Sequence, residues 1–140
     1  MFRKILVAND GSDGAGKALA VAIDLASRYG AELHSISVEE HLPRYAATVG
    51  ELLEERAEAD NYFRTINEKA AVQARQQGVV LHPHVMPGHE VETVVTFAKD
   101  HQMDLLVIGF MGHSKIFGRI WGSTSHNLTR LAPCSVLVVK

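Results

Sequence analysis

Cysteine is almost missing from this chain, and its single occurrence, Cys134, has no internal partner for a disulfide. A lone thiol fits a reducing compartment, so a cytoplasmic setting is expected. Long apolar runs are missing as well: none approaches the ~20 residues of a membrane span. The opening MFRKILVANDG has too short an apolar segment, and no small-residue cleavage site, to read as a secretory leader. Neither sign of charge dominates. The formal net charge is −2 with both signs interspersed, which leaves no basic stripe for nucleic acid. No repeat or low-complexity tract breaks the chain. What is present is ordinary globular composition, 46% hydrophobic over 140 residues. That suffices for one packed domain, residues 1–140, and is too short for two.

Five apolar runs recur: FRKILVA (2–8), ELHSISV (32–38), VVLHPHV (79–85), DLLVIG (104–109) and SVLVVK (135–140). Their Val, Ile and Leu content suits strands buried on both faces. Helical patterns lie between them. Ala15, Leu19, Ala22, Ile23 and Ala26 follow the 3.6-residue period, with Gly30 placed as a left-handed cap. Val91, Val94, Val95 and Ala98 repeat the pattern. Residues 51–77 read as a long helix ending at Gly78, with Leu52, Ala59, Phe63, Ile66, Ala70 and Ala74 as its inner stripe. A short last helix, 124–131, is stopped by Pro133.

This alternation predicts an α/β protein whose parallel sheet is covered on both faces. Ligands of such sheets bind beyond the carboxyl ends of the strands, where the winding direction reverses. The segments after Ala8, Val38, Val85 and Gly109 are therefore the ones to inspect. EEHLPRYAATVGE (39–51), the one long irregular connection, could flank such a site.

Two glycine-rich stretches compete for a phosphate. In GSDGAGKAL, Gly11, Gly16 and Lys17 have P-loop spacing, but Ala18 stands where a magnesium-binding hydroxyl is needed. Leu19 likewise breaks the dinucleotide pattern. This stretch is a glycine-rich turn opening a helix, with Lys17 in solvent. Asp10 beside it either caps that helix or accepts hydrogen bonds from a ligand, and both readings stand. The second stretch, GFMGHSKIFGRIWGSTSHN, starts where a strand ends and finishes by opening a helix. Gly109, Gly112 and Gly122 permit close approach of backbone N–H groups to an anion; Ser123 and Thr124 add hydroxyls, and the helix terminus adds a positive dipole end. Lys115, Arg119 and His113 bring further positive charge. The rival reading is a surface loop that uses glycine only for turning.

Other residues read as structural. His82 and His84 share one strand face with His89 close in sequence, but two imidazoles without a third ligand do not make a zinc site, and Pro83 favours a strand edge. His34 and His126 are polar helpers in packing or at an interface. Cys134, at the start of a strand with no base nearby in sequence, is a small buried side chain. Glu54, Glu55 and Glu58 form a solvated helix face.

The combination G-x2-G-x9-G-[ST], here Gly109, Gly112, Gly122 and Ser123, resembles the ATP-binding signature of the universal stress protein (UspA-like) family. ILVANDGSD is similar to that family's opening strand and "VDGS" turn, and APCSVLVVK to its closing "APCPVLVV" strand. PGHEVETVVTFAKDHQMDLLVIG is similar to its third helix and fourth strand. The resemblance covers nearly the whole chain and is loosest over 39–77. It implies a three-layer α/β/α fold of the adenine nucleotide alpha hydrolase type, with a five-stranded parallel sheet in the order 3-2-1-4-5. ATP, or ADP or AMP, would lie across the ends of the first, second and fourth strands with Mg. Carried over by position, Asp10 would face the adenosine part and the Mg, beside the backbone of Ala8, and Val38 would meet adenine. Gly109, Met111, Gly112, His113 and Ser114 would wrap ribose and phosphates, and Gly122, Ser123 and Thr124 would bind the phosphates. Three departures stand out: Asn9 where an apolar residue is common, Gly16 for a small hydroxyl residue, and Thr124-Ser125 for a more apolar pair.

The last strand lies at a sheet edge in this order. An apolar edge needs covering, and the resemblance implies a homodimer through Ser135 to Lys140. The expected function is that of a small ATP-binding stress-response regulator, with a protein partner still to be identified. No residues are assigned to catalysis, and any ATP hydrolysis is expected to be slow. Two rivals are a nucleotide-free dimeric interaction module and an adenylating or nucleotide-hydrolysing enzyme with a second pocket under 39–50.

Overall fold

A computed structural model describes residues 1–40, 48–110 and 123–140. The strands are β1 (Lys4–Ala8), β2 (Glu32–Glu39), β3 (Leu81–Pro87), β4 (Leu105–Gly109) and β5 (Ser135–Val139). The helices are α1 (Asp13–Tyr29), α2 (Val49–Gln76), α3 (Glu90–Asp100) and α4 (Ser123–Leu131). The strands form one parallel sheet in the order β3-β2-β1-β4-β5.

Successive strand residues point to opposite faces, which divides the apolar residues into two cores. Ile5, Val7, Leu33, Leu105 and Val107 meet Ala18, Leu19, Ala22, Ile23 and Ala26 of α1 and Ala70 and Ala74 of α2. On the other face Leu6, Ile36, Leu106 and Ile108 meet Val94, Phe97 and Ala98 of α3 and Leu128 of α4. The chain winds outward from β1 to β3, returns, and winds the other way through β4 and β5. The reversal opens a crevice between β1 and β4 at their carboxyl ends.

Helix boundaries follow local chemistry. Ser12 caps α1 by accepting the Ala15 N–H at 3.2 Å, and Gly30 ends it with φ of 61°. Helix α2 starts two residues earlier than its hydrophobic pattern predicts, because Thr48 and Glu51 form a reciprocal capping box. Its inner stripe is also shorter than predicted. Phe63, Ala70 and Ala74 are buried, Ala59 and Ile66 are half-buried, and Leu52 is 46% exposed. Length explains this: 28 helical residues run about 42 Å, whereas the eight residues of β2 span about 26 Å. The first turns of α2 overhang the sheet.

Strand β3 begins at Leu81 rather than residue 79, in register from Leu33↔Leu81 to Glu39↔Pro87. It is an edge strand. The Gly88 N–H donates to the Glu39 carbonyl at 3.1 Å, so even-numbered residues turn their backbone groups toward β2. Pro83 and Pro87 therefore face the open side, where a missing N–H costs no ladder bond.

The histidines of β2 and β3 meet on the α3 face. His34 Nδ1 lies 2.9 Å from His84 Nε2, and His34 Nε2 lies 2.7 Å from Glu32 Oε1. The His34 ring also packs on His82, and His84 packs on Phe97, which stacks on His101. Among the described residues no group of three or more His, Cys, Asp or Glu is arranged to hold a metal. Cys134 is half-buried, and burial pushes its thiol up from the ordinary value. Burial, aided by the charges of His34, His101 and His82, holds the His84 imidazole below its usual range. The hydrogen bond from His34 holds the Glu32 carboxyl below its usual range.

The lowered His84 value has a consequence for stability. Between the folded and unfolded values the unfolded chain binds more protons, so stability falls as pH drops from about 7 through about 6.5 and below. The Glu32 contribution has the same sign but is lost only below about 4.5. Urea midpoints are therefore expected to fall between pH 7.5 and 5, and His84→Gln is expected to flatten that decline. A midpoint that rises on acidification contradicts this account.

Candidate functional site

The turn after β1 is built by its own polar side chains. Asn9, only 5% exposed, donates its N–H to the Ile36 carbonyl and accepts the Gly11 N–H on Oδ1 at 3.1 Å. Its own carbonyl accepts the Ser37 hydroxyl at 2.6 Å. An apolar residue would leave the Gly11 N–H without this partner, which accounts for a polar side chain in this place. Asp10 Oδ1 accepts both the N–H and the hydroxyl of Ser12, at 2.9 and 2.5 Å. Of the two sequence readings for Asp10, capping goes to Ser12 instead; Asp10 orients that cap and stands at the mouth of the crevice.

Gly109 closes β4 against the start of α1. A β-carbon there would lie 2.7 Å from the carbonyl carbon and oxygen of Gly14 and 3.2 Å from the Ala15 nitrogen. Glycine is required because two backbones touch. Ser125, nearly buried, then donates its hydroxyl to the Gly109 carbonyl at 2.9 Å and fixes α4 on the strand end. At the end of β2, Glu40 Oε1 accepts the Glu90 N–H at 2.9 Å. This carboxylate caps α3, whose N-cap residue His89 makes no side-chain capping bond.

These ends enclose a cavity of about 360 Å³. Ala8, Val38, Ile108 and Leu128 supply apolar walls. Asp10, Ser12, Glu40, Glu90, Thr124 and Ser125 supply polar atoms, and Tyr62 and Phe63 reach in from α2. Three carboxylates around the apolar walls suit hydroxyl and amino donors, and they repel an anion. The N-terminus of α4, with Ser123 and Thr124 in its first turn, is the place of opposite preference.

Of the residues singled out in the sequence, Ala8, Asp10, Val38, Gly109 and Thr124 share this one cavity. Ser123 is the exposed first residue of α4, next to Thr124 and outside the cavity wall. Met111, Gly112, His113, Ser114 and Gly122 lie outside the described residues, as do Lys115 and Arg119. The P-loop-like stretch forms no loop: α1 is helical from Asp13, so Gly16 and Lys17 lie within it and Ala18 is buried in the core. Sequence reasoning missed Ser12, Glu40, Glu90, Tyr62 and Phe63. A D-x-S turn signal was available for Ser12, and Ser125 was visible only as a departure. Nothing local announces Tyr62, which is 52 positions from the Asp10 it contacts.

Comparison with known proteins places this geometry in context. The universal stress protein family profile matches residues 1–140. Universal stress protein YxiE of Bacillus subtilis strain 168 is 32% identical, with 100% of each chain covered. The structure of universal stress protein UspA from Lactobacillus plantarum superposes with a TM-score of 0.89 at 25% identity, covering 99% of this chain and 98% of that one. A universal stress protein crystallised in complex with cAMP matches at 27% identity and a TM-score of 0.77, covering 99% and 97%.

Gly16 of α1 and Gly109 at the end of β4 differ sharply. Gly16 faces open space, so Gly16→Ala is expected to raise stability by about 0.5–1 kcal/mol. Gly109→Ala must separate two backbones and is expected to lower it by about 1–3 kcal/mol. Urea denaturation of both variants checks the pair; equal effects would refute the contact.

Proposed function

The chain belongs to the universal stress protein family, and we propose that its cavity takes an adenine nucleotide and that the protein acts as an ATP-binding regulator in a stress response. The observation that carries this reading is convergence: Ala8, Asp10, Val38, Gly109 and Thr124 come from separate elements and share one cavity at the winding reversal. The cAMP held by a solved relative is support from outside the chain.

The charges suggest how the ligand lies. Base and ribose occupy the apolar and carboxylate-lined part, where Val38 meets adenine and Asp10 accepts from hydroxyl groups. Phosphates extend to the N-terminus of α4, toward Gly122, Ser123 and Thr124, and toward Gly112, His113 and Ser114. The oxygen donors Asp10, Ser12 and Thr124 suit Mg, a hard cation that keeps several of its waters. ADP or AMP fills the same base and ribose positions with fewer phosphates. Asp10 Oδ1 is already engaged by two hydrogen bonds from Ser12, which occupies it as an acceptor for a proton from water, so hydrolysis is slow.

In this reading the nucleotide acts by binding one conformation better than another and so changes what the protein contacts. The half-exposed apolar strand β5 pairs with a second copy in the cytoplasm, and a further protein partner reads the liganded state.

Mass spectrometry of protein purified without added nucleotide and then denatured is expected to release an adenine nucleotide. Adding ATP-Mg at 100 times its dissociation constant is expected to stabilise the chain by about 2.7 kcal/mol. Light scattering on the same sample is expected to give the mass of two chains. No released nucleotide together with no thermal shift at millimolar ATP-Mg would reject the nucleotide reading, and a one-chain mass would reject the pairing.

A further inference from the structure

Helix α2 presents two adjacent aromatic side chains to the cavity. Neighbouring helical residues point about 100° apart, so the pair lays the flank of the helix, rather than one ridge, along the opening. Phe63 is buried and Tyr62 is 42% exposed, and their rings meet edge to face with centroids 5.2 Å apart. The Tyr62 hydroxyl donates to the main-chain carbonyl of Asp10. Its ring covers Gly11, which has φ of +80°, and a β-carbon at Gly11 would collide with the phenol oxygen. Burial and the Asp10 charge push the Tyr62 phenol up from its usual value, so it remains a protonated donor at neutral pH.

On α2 the buried Asn67 Oδ1, and on β2 the buried Ser35 Oγ, have no hydrogen-bond partner among the described residues, a costly arrangement. Val49, Leu52 and Leu53, farther along toward the helix start, are exposed. A hydrogen bond tying α2 to the Asp10 turn therefore has leverage on where the aromatic wall stands.

We infer that Tyr62 is a positioning residue for the ligand: its hydroxyl clamps α2 onto the turn carrying Asp10, and so sets the gap between the aromatic wall and the opposing Ala8, Val38 and Ile108 into which a flat purine base fits. This rests on the nucleotide reading of the cavity. It adds a residue from the helix that the family resemblance covers least. The phenyl ring contributes apolar wall, while the oxygen fixes its distance, so the two parts can be separated by substitution.

Tyr62→Phe keeps the ring and removes the clamp; Tyr62→Ala removes both. At a temperature where all three proteins are folded, calorimetric titration with ATP-Mg is expected to show Tyr62→Phe binding about three- to tenfold more weakly, and Tyr62→Ala more weakly still. Tripolyphosphate, which has no base, is expected to bind all three alike. In nucleotide-free protein the Gly11 and Ser12 amides are expected to exchange hydrogen faster in Tyr62→Phe. Unchanged ATP affinity in Tyr62→Phe, or an equal loss for tripolyphosphate, overturns the inference; so does a lowered melting point with affinity intact, which would make Tyr62 merely structural. Should the wild-type chain bind no nucleotide, the reading of the site fails, and the exchange rates alone decide the clamp: no change at Gly11 and Ser12 overturns it.

Discussion

Gly109 and Gly14 bring two stretches of backbone into direct contact, and the site depends on that contact. Strand β4 can end against the first turn of α1 only because no β-carbon separates them. The close approach keeps the crevice between β1 and β4 narrow enough to have walls on both sides. It also leaves the Gly109 carbonyl free to be met by Ser125, which seats α4. The first glycine of the G-x2-G-x9-G-[ST] pattern thus has a packing duty that would exist without any phosphate. A glycine signature can carry information about architecture and about a ligand at once.

Much of the fold was legible because it rests on periodicity. The runs around Ile5–Val7, Leu33 and Leu105–Ile108 are apolar on both faces, and only strands covered by helices on both sides bury such runs. Ala15 to Ala26 and the cap at Gly30 marked α1 closely, since both the stripe and the terminator were present. The start of α2 was placed two residues late because it was counted from the apolar stripe beginning at Leu52; the T-x-x-E box at Thr48 and Glu51 was the better signal. Leu52 was misassigned to the core because a stripe indicates which way a helix faces, not how far the sheet beneath it extends.

The site divided along similar lines. Asp10, directly after a strand, and Gly109, at the end of one, were found by the rule for where ligands bind in parallel sheets, whereas Ala8 and Val38 came from the family resemblance. Thr124 came from the glycine-serine pattern opening α4, but Tyr62 and Phe63 of α2 and Glu90 of α3 were not found. Glu40 matters here because it caps a helix that begins 50 residues later, and Tyr62 because a long helix passes over a turn near the chain start. Such contacts depend on tertiary path, which local spacing does not encode. Asn9 is the opposite case: a departure from pattern that the geometry explains through the hydrogen bond its side chain accepts from the Gly11 N–H.

The sheet's two outer strands are unlike. Strand β3 turns Pro83 and Pro87 outward and offers few donors to an incoming chain, whereas β5 carries half-exposed Val136, Leu137 and Val138. A molecule adhesive on both flanks would polymerise into a fibre without limit. With one flank blunted, lateral growth through the other would halt once two such margins had met, so the pairing proposed for β5 would end at a finite assembly.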